Sequence, residues 1–266
     1  MLSTVRVILG VSYDGSKFHG FAKQPHVKTI EEAIIRALSG LGVSERIQYA
    51  SRTDKGVHAV FQLISINFGN GSDVYSLACM LNSNLDTCIR IHSIAVVRDN
   101  FVLYRSIKEK VYLYIAPDFG EKVSRIERAI DFMNAKPHDF SVLSKRRGKD
   151  AGTVRRVRVD FQIRGIYQYF FFKSKGFLWE QVRRTTTAIK AYGLGAISFD
   201  DFKKLLMGIP HPKGISPAPS RGLILWDIKT SIKKWRRIHN LQLLRKLIES
   251  NVKFYVIIDS KKWVFS

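Results

Sequence analysis

The stretch Ala50-Ser51-Arg52-Thr53-Asp54-Lys55-Gly56-Val57-His58-Ala59 holds the residues with the clearest capacity for chemistry. Strand-like sequence flanks it, and Gly56 can supply the positive φ that a tight turn between two strands needs. Asp is a turn former in its own right, so Asp54 has a structural reading as well as a chemical one. The chemical reading draws on Arg52 two residues upstream, on the small residues around it, and on a strongly basic chain. A carboxylate at a strand end on a tight turn is rigidly aimed, and a neighbouring guanidinium lowers its pKa and keeps it ionised. Such a group can act as a nucleophile or as a general base.

Other chemistries find less support. The histidines are scattered without paired metal spacing, and His58 reads as structural. Asp14, Asp54 and Asp86 do not have the spacing of a two-metal nuclease site. Gly193-Leu194-Gly195 is a helix stop lacking the third glycine of a dinucleotide loop. Cys79 and Cys88 are the only cysteines, too few for a disulfide framework. No metal is expected.

Charge points to the partner. The 266 residues carry 44 Lys plus Arg against 22 Asp plus Glu, a net charge of +22. Residues 1–100 hold 10 basic and 8 acidic side chains, whereas residues 101–266 hold 34 and 14. Such asymmetry marks a polyanion-binding surface, nucleic acid first and an anionic membrane second; a solvated basic face is the alternative. Lys145-Arg146-Arg147-Gly148-Lys149, continuing to Arg155-Arg156-Val157-Arg158, and Lys233-Lys234-Trp235-Arg236-Arg237 hold much of the excess. The apolar runs are too short to span a bilayer, and Met1-Leu2-Ser3-Thr4-Val5-Arg6 does not open a secretory signal. A soluble, cytoplasmic protein is expected.

The elements that must position Asp54 are legible in outline. Strands are predicted at Val5–Tyr13, 46–50, 59–68, 89–97, Lys110–Ile115, Leu223–Ile228 and Val252–Ile258, with a hairpin of Thr153–Ile163 and Tyr167–Lys173. Thr29-Ile30-Glu31-Glu32 is a capping box opening a helix with Ile30, Ala33, Ile34, Ala37, Leu38 and Leu41 on one stripe. Further helices are predicted at Asp73–Leu81, Glu121–Asn134, Phe177–Leu194, Ser198–Met207 and Ser231–Ser250, and the proline-rich Gly208–Ser220 is a loop. The pattern gives an α+β fold of two sheet-plus-helix domains, 1–105 carrying the Asp54 turn and 106–266 carrying the basic surface.

Taken in order, these segments resemble one family. Tyr13-Asp14-Gly15-Ser16-Lys17-Phe18-His19-Gly20-Phe21, Gln24, Thr29-Ile30-Glu31 and Ser51–Ala59 are similar to the opening motifs of the tRNA pseudouridine synthase A family. The likeness continues at Leu81-Asn82-Ser83-Asn84-Leu85, Lys110–Ile115, Phe177-Leu178-Trp179-Glu180-Gln181-Val182-Arg183, and Pro217-Ala218-Pro219 with Arg221-Gly222-Leu223. It spans residues 5–228. Departures are Ser51 where the family has Gly, Phe21 where Trp is common, and Trp179-Glu180-Gln181 where His and Met are frequent. The run Asn100–Arg105 also departs, and no role is carried over to Arg105.

The resemblance implies conversion of uridine to pseudouridine in the anticodon stem-loop of tRNA, at positions 38–40, by a homodimer that uses no cofactor. It makes Asp54 the catalytic carboxylate, attacking sugar or base or removing the 2′ hydrogen. Tyr112 becomes the tyrosine that stacks on the target base, Arg52 the residue that helps hold the nucleotide out of its stack, and Arg183 the partner of the carboxylate. A basic RNA-binding cleft is implied between the domains. Two alternatives stand beside this: a non-catalytic RNA-binding protein on the same scaffold, and a related synthase with other target uridines.

Overall fold

The apolar alternation from Val5 becomes strand β1 (Thr4–Tyr13), and the computed structural model describes residues 4–43, 47–69, 73–145 and 152–259. Thr29 caps helix α1 (Ile30–Ser39), its Oγ1 accepting from the Glu32 amide at 3.3 Å. The capping box is only half made, because the Glu32 carboxylate turns to Arg36, 3.3 Å away on the next turn. Strands β2 (Gln48–Tyr49) and β3 (His58–Gly69) flank the Asp54 turn. Asp73 caps α2 (Val74–Asn84), which continues past the expected end at Leu81. Strand β4 (Ile89–Val97), the single turn α3 (Leu103–Ser106) and β5 (Ile107–Pro117) follow.

Helix α4 (Val123–Ala135) leads to short β6 (His138–Asp139) and β7 (Val154–Arg155), then to β8 (Arg158–Arg164) and β9 (Tyr167–Ser174). Helices α5 (Gln181–Leu194) and α6 (Phe199–Leu205), strands β10 (Leu223–Thr230) and β11 (Arg236–Arg237), and α7 (Leu241–Ile258) complete the order. Ser198 and Asp201 form the full capping box of α6. The basic run Arg146-Arg147-Gly148-Lys149 lies outside the described residues.

Two compact units result. One takes the described residues of Met1–Lys108 with Ile224–Asn251, the other those of Glu109–Leu223 with Val252–Ser266. In the first, the sheet runs β11-β4-β1-β3-β10, with β2 also paired to β3. Strand β1 is antiparallel to both neighbours, and its Val7, Ile8, Leu9 and Val11 are fully buried, which makes it the spine of this core. Strand β10 joins β3 in parallel through Ile224↔His58 and Leu225↔Ala59, so it meets the chain where the Asp54 turn re-enters the sheet.

In the second unit, β5, β9 and β8 form an antiparallel meander. The hairpin β8–β9 turns at Gly165-Ile166 as the sequence predicts, but its first strand is broken. The Arg156 carbonyl accepts from Ser174 Oγ at 2.9 Å, and β7 pairs with β6 instead. Helix α5 is enclosed: of Gln181–Gly193, only Arg183 and Arg184 are not buried. Even Lys190 lies wholly inside, donating to the Pro117 carbonyl and to Gln168 Oε1, each at 2.8 Å, and paired with Glu121.

Three predicted elements are corrected. Residues 252–258 are not a strand but the end of α7, and α7 begins at Leu241 rather than Ser231. Asn240 Oδ1 caps it, accepting from the amides of Gln242 and Leu243 at 3.0 and 3.3 Å. Ile248, Val252 and Val256 are buried at a spacing of four, which is a helical face and not strand alternation. Helix α5 starts at Gln181 rather than Phe177, because Glu180 takes a left-handed φ of +61° and breaks the preceding turn. Among the described residues no helix is long and apolar enough to cross a membrane.

Candidate active site

Asp54 is half-buried in the loop from β2 to β3. Gly56 takes φ +80°, and the Val57 amide donates to the Asp54 carbonyl at 3.1 Å, closing the predicted turn. Residues 13–21 clamp it from one side. The Phe21 amide donates to the Thr53 carbonyl at 3.0 Å, the Gly56 amide to the Phe18 carbonyl at 3.3 Å, and the Tyr13 and Thr53 hydroxyls meet at 2.7 Å. Gly20, at φ +96°, passes so close that a Cβ there would lie 2.7 Å from the Thr53 carbonyl oxygen. From the other side buried Gln62 brackets Ser51, accepting from its amide at 3.2 Å and donating to its carbonyl at 2.6 Å. Backbone on both sides of Asp54 is therefore fixed.

His58 ends the turn and is fully buried, with Nδ1 3.2 Å from the Asp14 carboxylate. Asp14 also accepts from the Ser16 amide at 2.9 Å and from Asn251 Nδ2 at 3.1 Å. Burial works to raise the Asp14 pKa, but the hydrogen bond and charge of His58, with the Ser16 amide, outweigh it and hold the carboxyl well below the usual carboxylate range. His58 is thus a brace tying β3 to the first motif. Arg52 is exposed on the same loop, its Nε donating to the Tyr49 hydroxyl at 3.2 Å.

The second unit holds Tyr112 and Arg183. Tyr112 lies on β5 opposite Phe172 of β9, and its ring meets Phe177 edge to face at 5.2 Å. Tyr114, two residues on, is wholly buried and donates its hydroxyl to the Pro219 carbonyl at 2.7 Å. Arg183 Nε donates to the Ala218 carbonyl at 2.6 Å, and the Ala218 amide returns to the Arg183 carbonyl at 3.3 Å. The Pro217-Ala218-Pro219 segment therefore links β5 to the first turn of α5. Beside it, Arg184 donates to Glu180 Oε2 at 2.7 and 3.1 Å and to the Ile215 carbonyl at 2.5 Å.

A family model described as tRNA pseudouridine synthase matches residues 137–230 of this chain. The chain is 35% identical over 228 residues to tRNA pseudouridine synthase A of Pyrococcus abyssi, covering 85% of this chain and 84% of the relative. To the protein of that name in Pyrococcus furiosus it is 34% identical over 247 residues, covering 88% and 90%. To that of Archaeoglobus fulgidus it is 35% identical over 222 residues, covering 82% and 81%. The chain belongs to the tRNA pseudouridine synthase A family.

It is accordingly an intramolecular isomerase. In this synthase the motifs read from sequence fall into two units: Asp54 and Arg52 lie on one loop of the first, while in the second Tyr112 lies on β5 against Phe177 and Arg183 is tied to the Pro-Ala-Pro segment. Among the described residues, no group of three or more His, Cys, Asp and Glu is gathered to hold a metal ion. Sequence reasoning left Asp14, Gln62, Glu180 and Arg184 without a role at the site. The Glu180–Arg184 pair had a readable signal in its i, i+4 spacing. The grip of Gln62 on Ser51 had none, since it depends on how β3 folds back beside its own entry loop.

Proposed function

We propose that this synthase isomerises uridines at positions 38–40 of the tRNA anticodon stem-loop, with Asp54 as the catalytic carboxylate. The observation that carries the reading is the turn itself. A carboxylate held on a loop fixed at Ser51, Thr53, Gly56 and Val57 is the pre-organised group that breaking and remaking a glycosidic bond requires. Atoms are rearranged within one nucleotide, so neither redox cofactor nor energy source is called for.

Tyr112 stacks on the target base in this reading, which returns about 1–3 kcal/mol of the few kcal/mol spent in flipping it out. Arg52, exposed beside Asp54, helps hold the nucleotide out of its stack. Arg183 is the basic residue that keeps the carboxylate ionised; its support is that α5 is enclosed everywhere in Gln181–Gly193 except at Arg183 and Arg184. The basic half of the chain grips phosphates, and the enzyme works in the cytoplasm as a homodimer.

The test is incubation of purified protein with unmodified tRNA, followed by pseudouridine mapping. New pseudouridine at positions 38–40, abolished by Asp54→Asn with tRNA binding retained, is the expected result. Modification elsewhere in the tRNA would overturn the positional assignment, and full activity of Asp54→Asn would overturn the role of that carboxylate.

A further inference from the structure

At the C-terminal end of α5 the second unit contains a cavity of about 580 Å³, lined among others by Ser124, Arg125, Arg128, Tyr192, Ser198 and Phe199. Arg125 and Arg128 stand one turn apart on α4 and project over two aromatic rings. The Arg128 guanidinium lies 4.0 Å from the Phe199 centroid, that of Arg125 lies 5.9 Å from Tyr192, and the two rings are 5.4 Å apart. Gly195 (φ +82°) lets Arg125 cross here, since a Cβ at that position would sit 2.5 Å from Arg125 Nη1.

The charge is not neutralised locally. Neither arginine has a carboxylate partner among the described residues. The two acids of α6 beside the cavity are engaged elsewhere, Asp200 with Lys203 at 2.6 Å and Asp201 with the Ser198 hydroxyl at 2.6 Å, and Glu127 and Asp131 of α4 form no ion pair with either arginine. An arginine stacked on an aromatic ring keeps its in-plane N–H groups for an oxyanion and its outer face for a second planar group. Two such arginines beside a cavity of this volume match a phosphate with an attached base.

Position says which part of an RNA could reach it. Arg183 is in the first turn of α5 and Tyr192 in the last, nine residues on. That separation is about 13 Å along the axis, and nine steps of about 100° place the two on opposite faces. The nucleotide served by Arg183 is therefore not the one that would enter this cavity.

We propose that the cavity is a second RNA subsite, taking a nucleotide of the tRNA outside the anticodon stem-loop, with its phosphate in the fork of Arg125 and Arg128. The inference rests on tRNA being the substrate. The test compares wild-type protein with Arg125→Ala/Arg128→Ala and Arg125→Lys/Arg128→Lys on intact tRNA and on the isolated anticodon stem-loop. For the alanine variant, affinity for intact tRNA should fall about tenfold or more, and the log–log salt slope should become shallower by about 2. Affinity and turnover on the stem-loop should not change. The lysine variant should keep the salt slope and recover only part of the affinity, because lysine carries charge without the planar fork.

Equal losses on both RNAs, or none on intact tRNA, would overturn the subsite. So would tight binding of a free nucleoside monophosphate that does not compete with tRNA, which would make the cavity a small-molecule site. Failure of the substrate reading looks different: wild-type protein would then form no pseudouridine in either RNA.

Discussion

The hydroxyls of Tyr13 and Thr53 lie 2.7 Å apart in a buried contact that joins the end of β1 to the residue before Asp54. Tyr13→Phe removes one partner and leaves Thr53 Oγ1 buried beside an apolar ring, which costs about 1–3 kcal/mol. Because the loss falls on the backbone that aims Asp54, kcat should drop about tenfold while KM for tRNA changes little. Gly20→Ala should be more severe, since it combines a left-handed φ of +96° with a Cβ 2.7 Å from the Thr53 oxygen. Urea unfolding alongside steady-state kinetics separates the two effects; an unchanged kcat in both variants would show that the clamp does not position the carboxylate.

Acid should destabilise the fold through two groups, His92 first and Asp14 at lower pH. Burial pushes the His92 pKa from 6.5 down to about 3, so the folded state holds this ring neutral while the unfolded chain protonates it. Between those values the unfolded state binds the extra proton, and stability falls as pH falls, by up to about 1.4 kcal/mol per pH unit. Asp14 acts lower. Its folded pKa lies below the ordinary 3.8, so its contribution is present above that value and is lost as pH drops through the folded one. His92→Phe should flatten the stability profile between about pH 6 and 4, and Asp14→Asn only below about pH 4. Urea midpoints across pH check both.

Much of this was written locally in the sequence. Gly56 forecasts the turn, Ser198 and Asp201 the capped start of α6, and the alternation from Val5 the central strand, because each signal is carried by neighbours in the chain. Where tertiary contacts decide, the sequence misleads. Val252, Tyr255, Val256 and Ile257 have strand propensity, yet a capped helix that buries Ile248, Val252 and Val256 on one face overrides it. The left-handed turn at Glu180 is likewise invisible, since nothing in a glutamate announces positive φ. The residues proposed for chemistry stand in motifs that a sequence displays, whereas the braces around them do not. Asp14 lies far from His58 in the chain and Tyr13 far from Thr53, and only folding brings each pair together.

The buried pair Lys190–Glu121 offers a test of what holds α5 in place. Gln168 completes the network, donating to Glu121 Oε2 at 2.9 Å and to Asp118 at 3.1 Å, and burial pushes the Lys190 pKa down to about 8. Lys190→Met strands the Glu121 carboxylate and should cost about 3–5 kcal/mol. Adding Glu121→Leu should recover most of the loss, because replacing a whole buried pair with apolar groups is often neutral. Thermal melts of the single and double variants decide it; an additive double would show that the two groups do not act as a pair.

Chelation should leave the reaction untouched. An isomerisation that moves one base from N1 to C5 attachment neither gains nor loses electrons, and in the proposed reading the Asp54 carboxylate supplies the nucleophile or base. Pseudouridine formation in excess EDTA, with magnesium-independent folding of the tRNA checked separately, should match the untreated rate. A strict metal requirement would overturn the mechanism.

The sharpest test of the second assembly is Arg183, because lysine can replace its charge but not its geometry. The guanidinium is tied through Nε to the Ala218 carbonyl at 2.6 Å, a bond lysine cannot reproduce from the same backbone position while also placing its charge further out. Arg183→Lys should therefore keep the pH dependence of kcat/KM while lowering kcat about tenfold or more. Arg183→Ala removes the positive charge as well, and if that charge keeps Asp54 ionised, the acid limb of kcat/KM should move to higher pH. A structural role confined to the Ala218 contact predicts instead that both variants lose activity equally with the acid limb unmoved. Profiles of kcat/KM against pH for the wild type and both variants distinguish these outcomes, and an unmoved limb in Arg183→Ala would remove Arg183 from the electrostatics of the reaction.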